Sequence, residues 1–286
     1  MYVKSNYPWF LGFVASALSQ GLAPAGAAQP APSPVQMSSV PYSDLADLSD
    51  SAPLVLRAQL RKLAQVEPAR APGVRAGWGR FYAEAKTSAL LSGNAVMGEE
   101  LRYLVDLPLD ARGKPPKLIK QQVLLFARAV PAHPSELQLV APDAQLLWDA
   151  PLEARLRGVL TELAAADRPA RITGVREAMS VPGNLAGESE TQIFLGTGDG
   201  SAASITVTRH PGQAAAWGAS FSEVLEGSTP PAHETLAWYR LACTLPPALP
   251  DGVNVSEGEA AKAQAAADYV YVVEQLGPCG RTRLRS

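Results

Sequence analysis

Two cysteines and three histidines are all that 286 residues offer. Zinc clusters and iron–sulfur centres draw on sets of these ligands, so no metal site and no cofactor is expected. Charge is sparse too. Charged residues make up 18% of the chain, and 25 Lys and Arg stand against 27 Asp and Glu for a formal net charge of -2. A surface that tracks nucleic-acid phosphates needs an excess of cations, which excludes nucleic acid as an expected partner. Long apolar runs are missing beyond the N-terminus. The nearest, Val123 to Val130, is interrupted by Arg128, whereas a spanning helix needs about 20 apolar residues. No transmembrane segment is therefore expected in the mature chain. What is plentiful is apolar material, 47% of residues. That is enough for a sizeable core in one large domain or two small ones.

The N-terminus has the layout of an export signal. Lys4 gives a positive start, Trp9 to Leu18 is a short apolar stretch, and Ala25-Gly26-Ala27 is a small-x-small site behind it. Residues 1–27 are expected to be a cleaved signal peptide, which places the soluble mature protein in a periplasm or outside the cell. No cysteine near residue 27 could accept a lipid. Residues 28–41, rich in Pro, Ala and Ser, read as an extended linker. An oxidising compartment favours joining the only two cysteines, Cys243 and Cys279, across 36 residues of chain.

Residues 42–149 read as a mainly β, barrel-like domain after one short helical turn at Asp44–Leu48. Leu54, Leu56, Ala58 and Leu60 alternate with Val55, Arg57, Gln59 and Arg61, the period of a half-buried strand. Further strands are expected around 81–87, 101–107, 122–130 and 136–140, with Pro- and Gly-rich loops between them. Five strands in this length suit a small OB-like barrel. Residues 150–286 change character. Leu152, Leu156, Val159, Leu160 and Leu163 have helical spacing behind a possible Asp149 cap, with Glu153, Arg155 and Arg157 outside. Strands at 171–181, 191–195, 204–209 and 216–221, joined by turn residues such as Gly198-Asp199-Gly200, form a meander. Helices are expected at 232–244 and 257–276. The fold class expected is α+β: a five-stranded barrel, then an antiparallel meander packed with helices.

Familiar catalytic motifs are incomplete. Gly196 to Ser201 has Ser where a dinucleotide loop needs its third glycine, at 201, and a strand in place of the following helix, so it reads as a hairpin turn. Ser189 has Gly187 before it but Thr191 where a nucleophile elbow needs glycine. His233-Glu234 begins a zinc-protease pattern, but position 237 is Ala, and the pair reads as helix-entry residues. Carboxylates for acid–base work would be Glu188 with Glu190, Asp106 with Asp110, or Glu99 with Glu100. The densest basic run carries Arg112, Lys114, Lys117 and Lys120. It reads as an exposed hairpin tip that could meet an anionic partner, or simply as a solvated loop. Trp217, Phe221, Trp238, Tyr239, Tyr269 and Tyr271 gather in the C-terminal part and read as core.

Several stretches resemble a family of uncharacterised exported proteins from Gram-negative bacteria: Leu101 to Asp106, Arg112 to Lys117, Gln122 to Arg128, Pro182 to Leu195 and Leu236 to Cys243. The resemblance spans most of 42–280. It implies a shared fold and export, and no activity or catalytic residue. That family carries a cysteine after Gly-Pro near its end, matched here by Cys279 after Gly277-Pro278, which adds weight to the disulfide.

The function these features favour is a non-catalytic envelope module that binds another envelope protein or a small ligand. The competing class is a hydrolase assembled from loop carboxylates or Ser189. Either site is expected in the segment Val181 to Gln192, with Asn184, Glu188, Ser189 and Glu190 as its polar groups.

Overall fold

The computed structural model describes residues 40–94, 98–223 and 228–283. The signal peptide expected at 1–27 and nearly all of the linker at 28–41 lie outside them.

Five strands close into a barrel: β1 (Leu54–Gln65), β2 (Trp78–Ser92), β3 (Glu100–Pro108), β4 (Gln122–Val130) and β5 (His133–Leu139). β1 pairs antiparallel with both β2 and β4, and the order β1-β2-β3-β5-β4 returns on itself. All pairings are antiparallel except β3 with β5. This closed Greek-key order with one parallel seam is that of an OB-like barrel. Alternation fills its interior: Leu54, Leu56, Ala58 and Leu60 from β1, Phe81, Ala83 and Ala85 from β2, and Leu101, Tyr103, Val105 and Leu107 from β3 are all buried. The outer side of the β2–β3 ladder carries charge instead, with Arg80 gripping Asp106 through Nε at 2.7 Å and Nη2 at 2.9 Å. A short strand not read from the sequence, β6 (Gln145–Leu147), runs along β4 where β5 has left off.

Two helices flank the barrel. α1 (Tyr42–Ser51) is ten residues long rather than the single turn expected. Tyr42, Leu45, Ala46 and Leu48 are buried, and distant parts of the chain hold its acids. Asp44 accepts hydrogen bonds from the Thr282 side chain and from the backbone of Thr282 and Arg283. Asp47 pairs with Arg281, and Asp50 pairs with Arg171 and Arg240. These anchors extend the helix beyond what its own short sequence specifies. α2 (Ala150–Ala164) begins at the Asp149 cap, whose Oδ1 accepts from Leu152 N–H at 2.6 Å. Glu153, expected on the outer side, is buried. It accepts from Arg57, Arg157 and Trp148, a set of donors that meets only in the folded chain.

The meander follows as β7 (Ile172–Pro182), β8 (Ser189–Thr197), β9 (Ser204–Arg209) and β10 (Ala216–Ser220), each paired with its neighbour in sequence. Its inner face packs on α4 (Gly258–Leu276), burying Ala178, Ile193, Ile205 and Val207 against Ala265, Tyr269 and Val272. Asp268 of α4 is fully buried there, accepting from Arg209 Nε at 2.6 Å, Gln264 Nε2 at 2.9 Å and the Thr191 hydroxyl. α3 spans Leu236–Ala242, shorter than the 232–244 expected. Thr235 caps Trp238 N–H, so His233 and Glu234 precede the helix, with Glu234 at φ 56 and His233 against the Trp238 ring. Cys243 and Cys279 form a disulfide from the end of α3 to the segment after α4. Buried residues from Tyr42 to Leu276 belong to one continuous core.

Candidate functional site

Two depressions carry enough polar chemistry to compare. The first, about 420 Å³, lies where α1, α3 and the start of β7 meet the end of the barrel. Its charged groups already serve one another. Arg240 makes paired bonds to Asp50 at 2.7 and 3.0 Å and also donates to the Pro169 carbonyl. Arg283 holds Asp143 at 2.6 Å, and Tyr239 donates to Asp47. Burial opposes ionisation of Asp50, but hydrogen bonds from Arg240 and Arg171 outweigh it and hold its carboxyl below the usual range. A ligand there would compete with bonds already made. The chemistry is that of a joint.

The second, about 450 Å³, opens on the outer face of the meander. The register explains its composition. Val181 pairs with Glu190 and Glu190 with Thr208; Met179 pairs with Gln192 and Gln192 with Thr206. Two cross-strand rows therefore face away from α4, which puts short polar and apolar side chains side by side in solvent. Met179 is 37% exposed, Val181 51% and Leu185 62%, which makes the rim one of the more apolar places on the described surface.

The β7–β8 connection is ordered by its own bonds. Gly183 N–H donates to the Glu188 carbonyl at 2.8 Å, and Glu188 N–H to the Leu185 carbonyl at 3.0 Å. The Glu188 carboxylate folds back over Gly183, accepts from Leu185 N–H at 3.2 Å, and occupies the space a side chain at 183 would need. Its other oxygen lies 3.5 Å from His210 Nδ1 at the end of β9. Gln192 Nε2 donates to Glu190 at 2.7 Å, and the Thr206 hydroxyl donates to Gln192 at 3.0 Å. Asn184 and Thr208 make no side-chain hydrogen bond among the described residues, so both keep free capacity at the mouth.

Asn184, Glu188, Ser189 and Glu190, the residues expected from the sequence, thus meet in one depression. Ser189 contributes differently from its neighbours. Its Oγ is buried and has no hydrogen-bond partner. It faces the α4 side with Thr191, and the contact His210 makes is to Glu188 rather than to this hydroxyl. Activated nucleophiles need a base within hydrogen-bond reach, which Ser189 lacks. Of the other carboxylate pairs, Glu99 and Glu100 do line one depression, but among the cations Arg61, Lys86 and Arg102. Asp106 is held by Arg80, Asp110 caps backbone N–H groups of its own loop, and Glu99 pairs with Lys86 at 2.6 Å, which holds its carboxyl below the usual range. No group of three or more His, Cys, Asp or Glu side chains among the described residues is arranged to hold a metal ion.

Met179, Thr208 and His210 are the site members that sequence reading missed. Once the Gly198–Gly200 hairpin fixes the β8–β9 pairing, residues 190 and 208 fall opposite each other. That offset was the available signal. The basic residues Arg112, Lys114, Lys117 and Lys120 belong to the separate β3–β4 connection on the barrel. The aromatics Trp238, Tyr239 and Tyr269 are buried in the core. No protein-family model matches the chain, and no curated protein is significantly similar to it.

Proposed function

We propose that the protein is an exported, non-catalytic envelope module that binds another envelope protein or a small ligand at the depression over Val181–Gln192. The observation that carries this reading is the conjunction at that place. Asn184 and Thr208 keep open hydrogen-bonding capacity beside the apolar rim of Met179, Val181 and Leu185, on an ordered loop. Binding sites combine an apolar surface with a few fixed polar groups in this way. Export rests on the signal-like N-terminus, the Cys243–Cys279 disulfide and the resemblance to exported proteins of Gram-negative bacteria. No helix among the described residues is long and apolar enough to cross a membrane.

The test is a photocrosslinking residue at position 185 in the native host, read by mass spectrometry. A defined adduct is expected at 185 and not at Leu90, an exposed leucine on the barrel. The adduct should disappear when Glu188→Ala and Asn184→Ala are introduced together. The reading fails if position 185 gives no more adduct than position 90, or if the adduct ignores both substitutions.

A further inference from the structure

The connection between β3 and β4, Leu109 to Gln121, joins strong positive charge to a defined backbone. Asp110 Oδ1 accepts from Arg112 N–H at 2.9 Å and Lys114 N–H at 2.8 Å, and Asp110 N–H donates to the Lys114 carbonyl at 2.8 Å. The loop's one acid is thereby committed to holding a turn. At the other end, Lys120 N–H donates to the Leu60 carbonyl at 2.8 Å and Leu60 N–H to the Gln121 carbonyl at 2.9 Å, stitching the loop to β1. Gln59 Nε2 adds a bond to the Lys120 carbonyl at 3.1 Å. Pro115 and Pro116 stiffen the stretch between.

Charge and exposure then point one way. Arg112, Lys114, Lys117 and Lys120 are all exposed, and none reaches a carboxylate among the described residues. Elsewhere on the barrel Arg57, Lys62, Arg75, Arg80 and Lys86 each hold an acid, and the cations that do not, such as Arg61, Arg102 and Arg128, stand on separate strands, whereas these four share one loop. The chain as a whole is slightly acidic, so this loop is a local reversal of sign. Leu118 packs against the core, while the next residue, Ile119, is turned out and 45% exposed between Lys117 and Lys120.

We infer that this loop docks the protein on an anionic phospholipid surface. The cations meet headgroup phosphates, and Ile119 enters the boundary between headgroups and acyl chains. Basic residues at a membrane surface act through its negative potential, and an apolar residue set among them gains a place to be buried. Ile119 decides between sources of negative charge. A bilayer has an apolar layer beneath its phosphates, whereas an acidic polysaccharide offers the charge alone.

The test is co-sedimentation of the full chain, disulfide intact, with phosphatidylglycerol-containing vesicles and with pure phosphatidylcholine vesicles. Selective binding to the anionic vesicles is expected, falling as salt is raised. Each neutralised cation should weaken it about fivefold, so Lys114→Gln with Lys117→Gln should cost about 25-fold. Ile119→Ser should weaken binding further, with the loss persisting at a salt concentration that has already reduced the charge-driven part. Any leader is common to all variants, so these differences read the loop. The substituted side chains are exposed, and unchanged melting temperatures will show that the fold is intact. Equal binding to both vesicle types overturns the inference, as does binding indifferent to the double substitution, or binding to acidic polysaccharide in place of vesicles. None of these outcomes touches the depression over Val181–Gln192, so the two proposals fail separately.

Discussion

Arg240 and Asp50 lie 190 residues apart in sequence and face each other through two nearly parallel hydrogen bonds, Nη1 to Oδ2 at 2.7 Å and Nη2 to Oδ1 at 3.0 Å. The Arg240 side chain is 6% exposed and that of Asp50 16%. The pair locks α3 to α1 at the joint between barrel and meander. Removing Asp50 strands the buried Arg240 charge, so Asp50→Asn should destabilise by about 3 kcal/mol in urea unfolding, whereas Arg240→Met leaves Asp50 its Arg171 partner and should cost less. The double substitution should cost clearly less than the two single losses combined. Simple additivity would show that the pair does not couple the helices.

Acid should weaken the fold through Asp50 and Glu153. For Glu153, burial opposes ionisation, but hydrogen bonds from Arg157 and Trp148 and the charges of Arg57 and Arg157 overcome it. Both carboxyls sit below their ordinary values of 3.8 and 4.5. A depressed folded-state value gives stability that is present above the unfolded pKa and is lost as pH falls through the folded one. The melting temperature should therefore drop steeply below about pH 4. Glu153→Gln should lower stability at neutral pH and flatten that acid slope. An unchanged slope would remove Glu153 from the account.

The disulfide closes 36 residues of chain. Cys243→Ser with Cys279→Ser should cost on the order of 3–4 kcal/mol by the chain-entropy model. The same loss should follow reduction of the parent by dithiothreitol. Equal unfolding midpoints with and without reductant would contradict it.

At the depression, substitution should separate binding from stability. Asn184→Ala touches no side-chain bond and should change stability by less than about 0.5 kcal/mol. Glu188→Ala removes the bond to Leu185 N–H and the contact to His210. It should loosen the loop, seen as faster amide exchange at Leu185, while the core strands of the meander keep their protection. Loss of protection throughout β8 would mean that the loop is part of the cooperative core.

The strands were legible because their signal is local. Phe81, Ala83 and Ala85 alternate with Tyr82, Glu84 and Lys86, and the barrel needs that alternation to separate inside from outside. The parallel seam of β3 with β5 was not legible, since it rests on one long-range pairing, Arg102 opposite Glu136. Likewise, α1 looked like a single turn because its stabilising partners, Arg171, Arg240 and residues 281–283, lie far along the chain. Glu153 was misplaced in part for the same reason: Arg157 and Trp148 are its neighbours in sequence, but Arg57, 96 residues away on β1, is brought to it only by the fold. The loop of the candidate site could be picked out from its composition. The contribution of Thr208 and His210 depended on a pairing register that no single segment states.

The grip of Asp44 on Thr282 and Arg283 also sets an order of events. A polypeptide leaves the ribosome, or any pore that threads it, with residue 44 some 238 positions ahead of residue 282. The α1 helix emerges before every strand of the barrel and the meander, and its buried Asp44 meets its hydrogen-bond donors only after all of them. Seating the first helix thus waits for residues 281–283, and a nascent chain stalled short of residue 281 would have every strand of the barrel and still lack the clasp that holds that helix.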